Sequence, residues 1–399
     1  MLPTPESSSD MSTFHQRLAA QWLVVAIASC LAILCFLAAL YRKLDLEHIG
    51  QSASVRRRLS TRLPQYESST KWLHHDQFIR SRSQRPRFQQ SNTTTMVCNG
   101  HKNLCDRGVN ETIFATVHNA MSALVDGAIL LKNHIRPLES ALQSGYRGIN
   151  LDIGICNGQV SVIHTTCTIA SRSLKSVLQS IVSFLQKNPH EVILLPTQLS
   201  TQLLSAKNNI TLLAIDDVFQ SVPEFYNMLY NHPSPNQLWP TLRELITSNR
   251  RILFFHYNGE SCTKLDATTI TNTTTTTNIS NPCPYGFHPW FMYAAETEFD
   301  FLLVKDLQDI PRYCRITRGG RSGYNQFFGI NIFITPARFI PTWKQINQYS
   351  FIKSHIDECL SYNQKTFVNV ILVNYWGVGD VLDVVYDMNA ALSTSPPSI

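Results

Sequence analysis

Two histidines, His118 and His164, stand 46 positions apart, each closing an apolar run. The first ends Thr112-Ile-Phe-Ala-Thr-Val-His118-Asn119, and the second ends Gly158-Gln-Val-Ser-Val-Ile-His164. Between them lies Gly148-Ile-Asn150-Leu-Asp152-Ile, a third apolar run that carries a carboxylate. If these runs are strands of a parallel α/β fold, their ends meet at the C-terminal edge of the sheet, where such folds bind ligands. Two imidazoles facing one cavity suit acid–base cleavage of a phosphodiester, because imidazole takes or gives a proton near neutral pH. A histidine after an apolar run is also an ordinary structural residue, and this chain has 13 of them. Asp152 on the intervening run tips the reading towards a site.

The elements that must position these groups alternate. Ile113–Val117, Gly148–Ile153, Val160–Ile163, Val192–Leu195, Arg251–Phe255, Phe328–Ile334 and Val368–Val373 read as short buried strands. Leu174–Gln186 reads as a helix, with Leu174, Val177, Leu178, Ile181, Val182 and Leu185 on one stripe. Strands interleaved with helices imply a parallel sheet, and the periodicity alone leaves barrel and doubly wound sheet open.

Five blocks in order resemble the phosphatidylinositol-specific phospholipase C X-domain superfamily, in its PLC-like phosphodiesterase branch. They are Thr116-Val-His118-Asn119, Leu142-Gln-Ser-Gly145-Tyr-Arg147-Gly148-Ile-Asn-Leu-Asp152, Val160-Ser-Val-Ile-His164-Thr-Thr-Cys167, Asn188-Pro-His-Glu191-Val-Ile-Leu-Leu, and Phe367 to Tyr375 with Gly379-Asp380-Val and Met388-Asn389. The resemblance implies an α/β fold, a distorted TIM-type (β/α) barrel over 96–393. It implies a phosphoric diester hydrolase, with His118 the general base and His164 the general acid. Asp152 is then a third catalytic residue that orients an imidazole, and Asn119, Arg147 and His256 become substrate-binding candidates. The substrate would be a phospholipid or a related phosphodiester.

Departures from the pattern set a second reading beside the first. Calcium-dependent relatives carry acidic residues where this chain has Asn150 and Thr197 or Gln198, so no cofactor is expected. Asn119, Asn150 and Asp152 form at best a poor calcium set. Calcium-free bacterial relatives place an arginine where this chain has Gly154, and the last strand ends in Asn374 instead of an aspartate. The phosphate's cation is therefore open among Arg147, His256 and Arg318. The alternative is a membrane-anchored barrel that binds a lipid or other ligand with little or no catalysis.

The chain ahead of the barrel has a separate logic. Residues 1–21 form a tail, and the twenty residues Trp22–Tyr41 carry no charge and no polar face. At ~1.5 Å per residue they span the ~30 Å hydrocarbon core, so a transmembrane helix is expected there. Residues 42–95 read as a flexible basic stem, with eleven Lys/Arg against four Asp/Glu over 42–90. The whole chain's charge is +6, so the folded part is close to neutral, which argues against nucleic acid as a partner.

Lysines and arginines after the span favour a cytosolic domain by the positive-inside rule. Eight cysteines beyond the span argue the opposite, since even numbers at short spacing mark an oxidising compartment. Pairing by proximity gives 98–105, 156–167 and 262–283, and elimination leaves 314–359. Sequons at Asn92, Asn110, Asn209, Asn272 and Asn278 point the same way. The expectation is a single-pass membrane glycoprotein of the secretory pathway or cell surface, its barrel lumenal or extracellular.

Overall fold

The computed structural model describes residues 96–392 except 127, 129–131, 165, 200–210, 258–282, 321–325 and 335–339. The expected span and stem lie outside the described residues, as does Cys262 of the expected 262–283 pair. Among the described residues no helix is long and apolar enough to cross a membrane.

Twelve strands share one sheet: β1 Phe114–Val117, β2 Gly148–Ile149, β3 Leu151–Cys156, β4 Gln159–His164, β5 Thr166–Ser173, β6 Ile193–Leu199, β7 Ile252–His256, β8 Phe287–Pro289, β9 Ala294–Thr297, β10 Ile316–Gly319, β11 Phe327–Ile332 and β12 Val370–Val373. The parallel series runs β9-β11-β12-β1-β2-β6-β7-β8, so the last strand in sequence lies beside the first. Among the described residues no ladder joins β8 to β9. Phe255 of β7 nonetheless meets Phe327 of β11 at 5.6 Å between ring centroids, although four strands separate them along the sheet. The sheet therefore curls on itself, a mixed α/β fold consistent with a distorted barrel open at one seam.

Close packing of the inner face dictates some residue types. A Cβ on Gly148 would sit 2.0 Å from the Thr116 hydroxyl, so only glycine lets β2 lie against β1 there. The helix Leu174–Lys187 buries all six stripe residues, and the Ser173 hydroxyl caps it by accepting from the Ser176 amide. Outside the sheet, Phe219 of the helix Leu212–Gln220 packs on Phe254 and Phe287.

One expected strand has a different place. β4 is not a member of the parallel series; it runs antiparallel to both β3 and β5. The turn between β3 and β4 is Asn157-Gly158, both with positive φ, the left-handed pair that a two-residue hairpin requires. β5, β8, β9 and β10 had no counterpart in the sequence reading. β8 to β10 have three or four residues each, too few to show a period.

Two of the pairs expected from spacing form, and so does the pair left by elimination. Cys98–Cys105, Cys156–Cys167 and Cys314–Cys359 are disulfides with Cα separations of 5.1, 5.5 and 4.8 Å. Cys283 is also disulfide-bonded, while Cys262 lies outside the described residues.

Candidate active site

His118 follows the last residue of β1, at the C-terminal edge of the parallel strands. Its ring stacks on Phe333, 3.8 Å between centroids, and its Nδ1 lies 2.9 Å from the Asn374 amide oxygen. An amide oxygen only accepts, so Nδ1 carries the proton and Nε2 is left as the basic nitrogen. The backbone is held from behind: buried His134 donates from Nε2 to the His118 carbonyl at 2.5 Å, and Asn347 donates to the Asn374 carbonyl at 2.9 Å. Burial depresses the His118 imidazole to about 3; the Asn374 bond opposes this, and the charges of His134, His164 and Arg318 add to it. The residue is half-buried, so water moderates that shift. The ring is neutral at ordinary pH.

Asn119 lies between the surroundings of His118 and those of His164. It adopts a left-handed backbone (φ 47°), which asparagine tolerates better than most residues, and its N–H donates to Asn150 Oδ1 at 2.9 Å. Its side-chain amide lies 3.4 Å from His164 Nδ1. The amide orientation that satisfies all neighbours sends its nitrogen to the Asp152 carboxylate, 3.1–3.2 Å away, and leaves its oxygen facing His164. Asp152 is thus connected to His164 through one amide. Burial pushes the Asp152 carboxyl up to about 7.

His164 reaches this place by an unexpected route. A strand running with the parallel set would deliver its last residue at the rim, but β4 runs against β3. β3 overshoots the rim, turns at Asn157-Gly158, and β4 comes back, so its final residue returns to the level of Leu151 and Asp152. The dipeptide Asn157-Gly158 was the signal in the sequence for this hairpin.

Two expected substrate contacts are corrected. Arg147 precedes β2, at the opposite edge of the sheet from the histidines. Its guanidinium is occupied by Glu191 at 2.6 Å and by the Leu142 and Tyr146 carbonyls, with the Phe184 ring beneath it. It is a structural cation. His256 is fully buried at the end of β7, and strand alternation places it with helix-facing Phe254 instead of inward-facing Phe255.

The third candidate, Arg318 of β10, does lie on the histidine side, since its charge bears on His118. It is already neutralised. It donates to Glu296 at 2.5 Å, and that fully buried carboxylate also accepts from Trp290 Nε1 at 2.6 Å and the Tyr257 hydroxyl at 3.0 Å. The Phe299 ring covers its guanidinium at 3.8 Å. Glu296 carries no signal in the sequence, because β9 is four residues of Ala-Ala-Glu-Thr with no strand signature.

As a calcium set, Asn119, Asn150 and Asp152 do not fit. Asn150 Oδ1 is used by the Asn119 amide and its Nδ2 by the Pro196 carbonyl, leaving one carboxylate as the anionic oxygen source. Among the described residues no three His, Cys, Asp or Glu side chains gather as a metal site.

The PI-PLC X family model matches residues 104–273. A protein of Arthroderma benhamiae named PI-PLC X domain-containing protein 1 is 29% identical over 310 residues, covering 74% of this chain and 90% of its own length. A second protein of that fungus, called an uncharacterized secreted protein, is 25% identical over 166 residues, 41% of this chain and 36% of its own. Among solved structures, the phosphatidylinositol-specific phospholipase C of Listeria monocytogenes gives a TM-score of 0.45 at 15% identity, over 73% of this chain and 96% of that one.

Proposed function

We propose, for a chain that belongs to the PI-PLC X-domain family, a metal-independent phosphoric diester hydrolase that cleaves an inositol phospholipid or a related phosphodiester. The observation that carries this reading is the placement of consecutive residues His118 and Asn119. The first is a basic imidazole held by Asn374; the second holds the other imidazole, His164.

His118 Nε2 takes the proton of a substrate hydroxyl next to the phosphodiester, and that oxygen attacks the phosphorus, closing a cyclic phosphodiester as the bond to the leaving alkoxide breaks; water then opens the ring with the two histidine roles reversed. His164 protonates the departing alkoxide, with its Nδ1–H held by the Asn119 oxygen so that Nε2 faces the leaving group. Asp152, through Asn119, favours the protonated form of His164 that an acid needs. Because His118 is depressed, its base form is present throughout the neutral range.

A lipid substrate suits the surroundings. Phe299, Leu302 and Leu303 lie in the connection that follows β9, Val125 and Ile135 in the connection that follows β1, and all are exposed. Such apolar side chains can enter a bilayer surface. Three disulfides support an oxidising location, so a lumenal or extracellular domain is part of the proposal.

A second reading, a lipid-binding barrel with little catalysis, draws on one observation: Glu296 neutralises Arg318, a cation whose charge bears on His118. Assay of the full chain on phosphatidylinositol, with and without a calcium chelator, separates the two. Turnover that survives chelation is expected. Binding without turnover selects the second reading, and turnover lost to the chelator overturns metal independence.

A further inference from the structure

β1 and β12 leave the sheet in the same way. Their ladder pairs Val117 with Val373, and two residues further on Asn119 (φ 47°) and Tyr375 (φ 50°) both adopt left-handed backbone. A tyrosine disfavours that conformation, so its surroundings must hold it. The His118 N–H still donates to the Val373 carbonyl at 3.1 Å. The following peptide, which joins His118 to Asn119, is bonded on both sides by side chains. Its N–H donates to Asn150 Oδ1 at 2.9 Å, and its carbonyl accepts from His134 Nε2 at 2.5 Å.

The connection after β1 brings His134 to this place. The His134 N–H donates to the Ser122 carbonyl at 3.1 Å, and the Asn133 N–H to the Ser122 hydroxyl at 2.8 Å. The Asn133 carbonyl accepts from the Tyr375 N–H at 2.7 Å, one residue past Asn374. These bonds close a circuit, from the His118 ring to Asn374, from Tyr375 to Asn133, and from His134 back to the His118 carbonyl. The imidazole and the backbone of His118 are thus held from one platform. The His134 ring is fully buried, and burial depresses it to about 3, so it is neutral with one N–H to give.

We infer that His134 is a positioning residue, whose N–H fixes the peptide from which the His118 imidazole and the Asn119 amide both project. This rests on His118 being the general base, and it adds the group that aims it. Being fully buried, His134 does not meet the substrate. Misplacing a catalytic group by about 1 Å costs up to ~100-fold in rate while ground-state binding survives, so the loss belongs in kcat.

The full chain is compared as wild type, His134→Leu, His134→Asn and His134→Gln on phosphatidylinositol vesicles. A glutamine amide nitrogen has roughly the reach of Nε2, whereas an asparagine nitrogen stops near the place of Nδ1. His134→Leu and His134→Asn are expected to lose ~10-fold or more in kcat with KM within ~2-fold, and His134→Gln to stay within ~3-fold of wild type. His355→Leu removes another buried histidine, on the helix Tyr349–Tyr362, and should leave kcat per folded molecule unchanged. If His134→Leu does not fold, the comparison of His134→Asn with His134→Gln carries the test.

Histidine ring NMR supplies a readout independent of turnover. The Nδ1–H signal of His118, identified by its absence in His118→Ala, reports the bond to Asn374. It should stay sharp in His134→Gln and broaden in His134→Asn, two variants that both lack the His134 ring. Equal kcat in those two variants, or an Nδ1–H signal equally sharp in both, overturns the positioning role. A wild-type chain that does not cleave the lipid refutes the proposed hydrolase instead, and the NMR comparison then decides positioning by itself.

Discussion

The rim of the sheet has two differently built halves. Around β1, β3, β4 and β12, two imidazoles are held by amides: Asn374 on His118, Asn119 on His164, Asn150 beneath Asn119. Around β9, β10 and the end of β7, a full ion pair is sealed by aromatic rings, with Arg318 on Glu296 and Trp290, Tyr257 and Phe299 about them. In the first half the imidazoles meet neutral amides. The second is fixed, because each charge already has its partner.

The largest effect should come from breaking the first half. His118→Ala and His164→Ala should each lower phosphodiester cleavage by ~10²–10⁴-fold, with folding intact by circular dichroism. The double variant should fall far short of the product of the two losses, since both protons move in one displacement. Full activity in either single variant refutes its assigned role.

Breaking the second half should be felt in stability first. Glu296→Gln leaves a largely buried guanidinium without its counter-charge, at a cost of about 3 kcal/mol. Denaturant titration measures this, and an unchanged midpoint would show that water already screens the pair. The freed Arg318 charge should also tighten binding of an anionic substrate, which a lowered KM would report.

A smaller effect sharpens the role of Asp152. Its carboxyl is raised above the unfolded value by burial, so ionising it costs folding energy. No penalty exists below about pH 4, where both states are protonated; it grows as pH rises, and is complete above about pH 7. Asp152→Asn should therefore gain stability relative to wild type as pH increases from 4 to 8. The Asn119 amide bonds and the water of the mouth reduce the gain to on the order of 1 kcal/mol. Parallel stability curves across that range would remove the burial argument.

Much of this molecule is legible in its residues, for stated reasons. Short apolar runs ending in His118, Asp152 and His164 signal strands because burying both faces of a parallel sheet demands them. Short cysteine spacings gave the local pairs, and the apolar stripe gave the helix Leu174–Lys187 to within a residue. What composition and period cannot carry is direction and partnership. A strand has the same alternation whichever way it runs, so only the pairing of β4 with β3 revealed that His164 returns to the rim instead of arriving at it. Arg147 and Arg318 look alike in sequence; tertiary contacts sent one to Glu191 at the far edge and the other to Glu296 near the histidines. A charge acquires its role from the group that neutralises it, and residues far apart in the chain meet only once the sheet has curled.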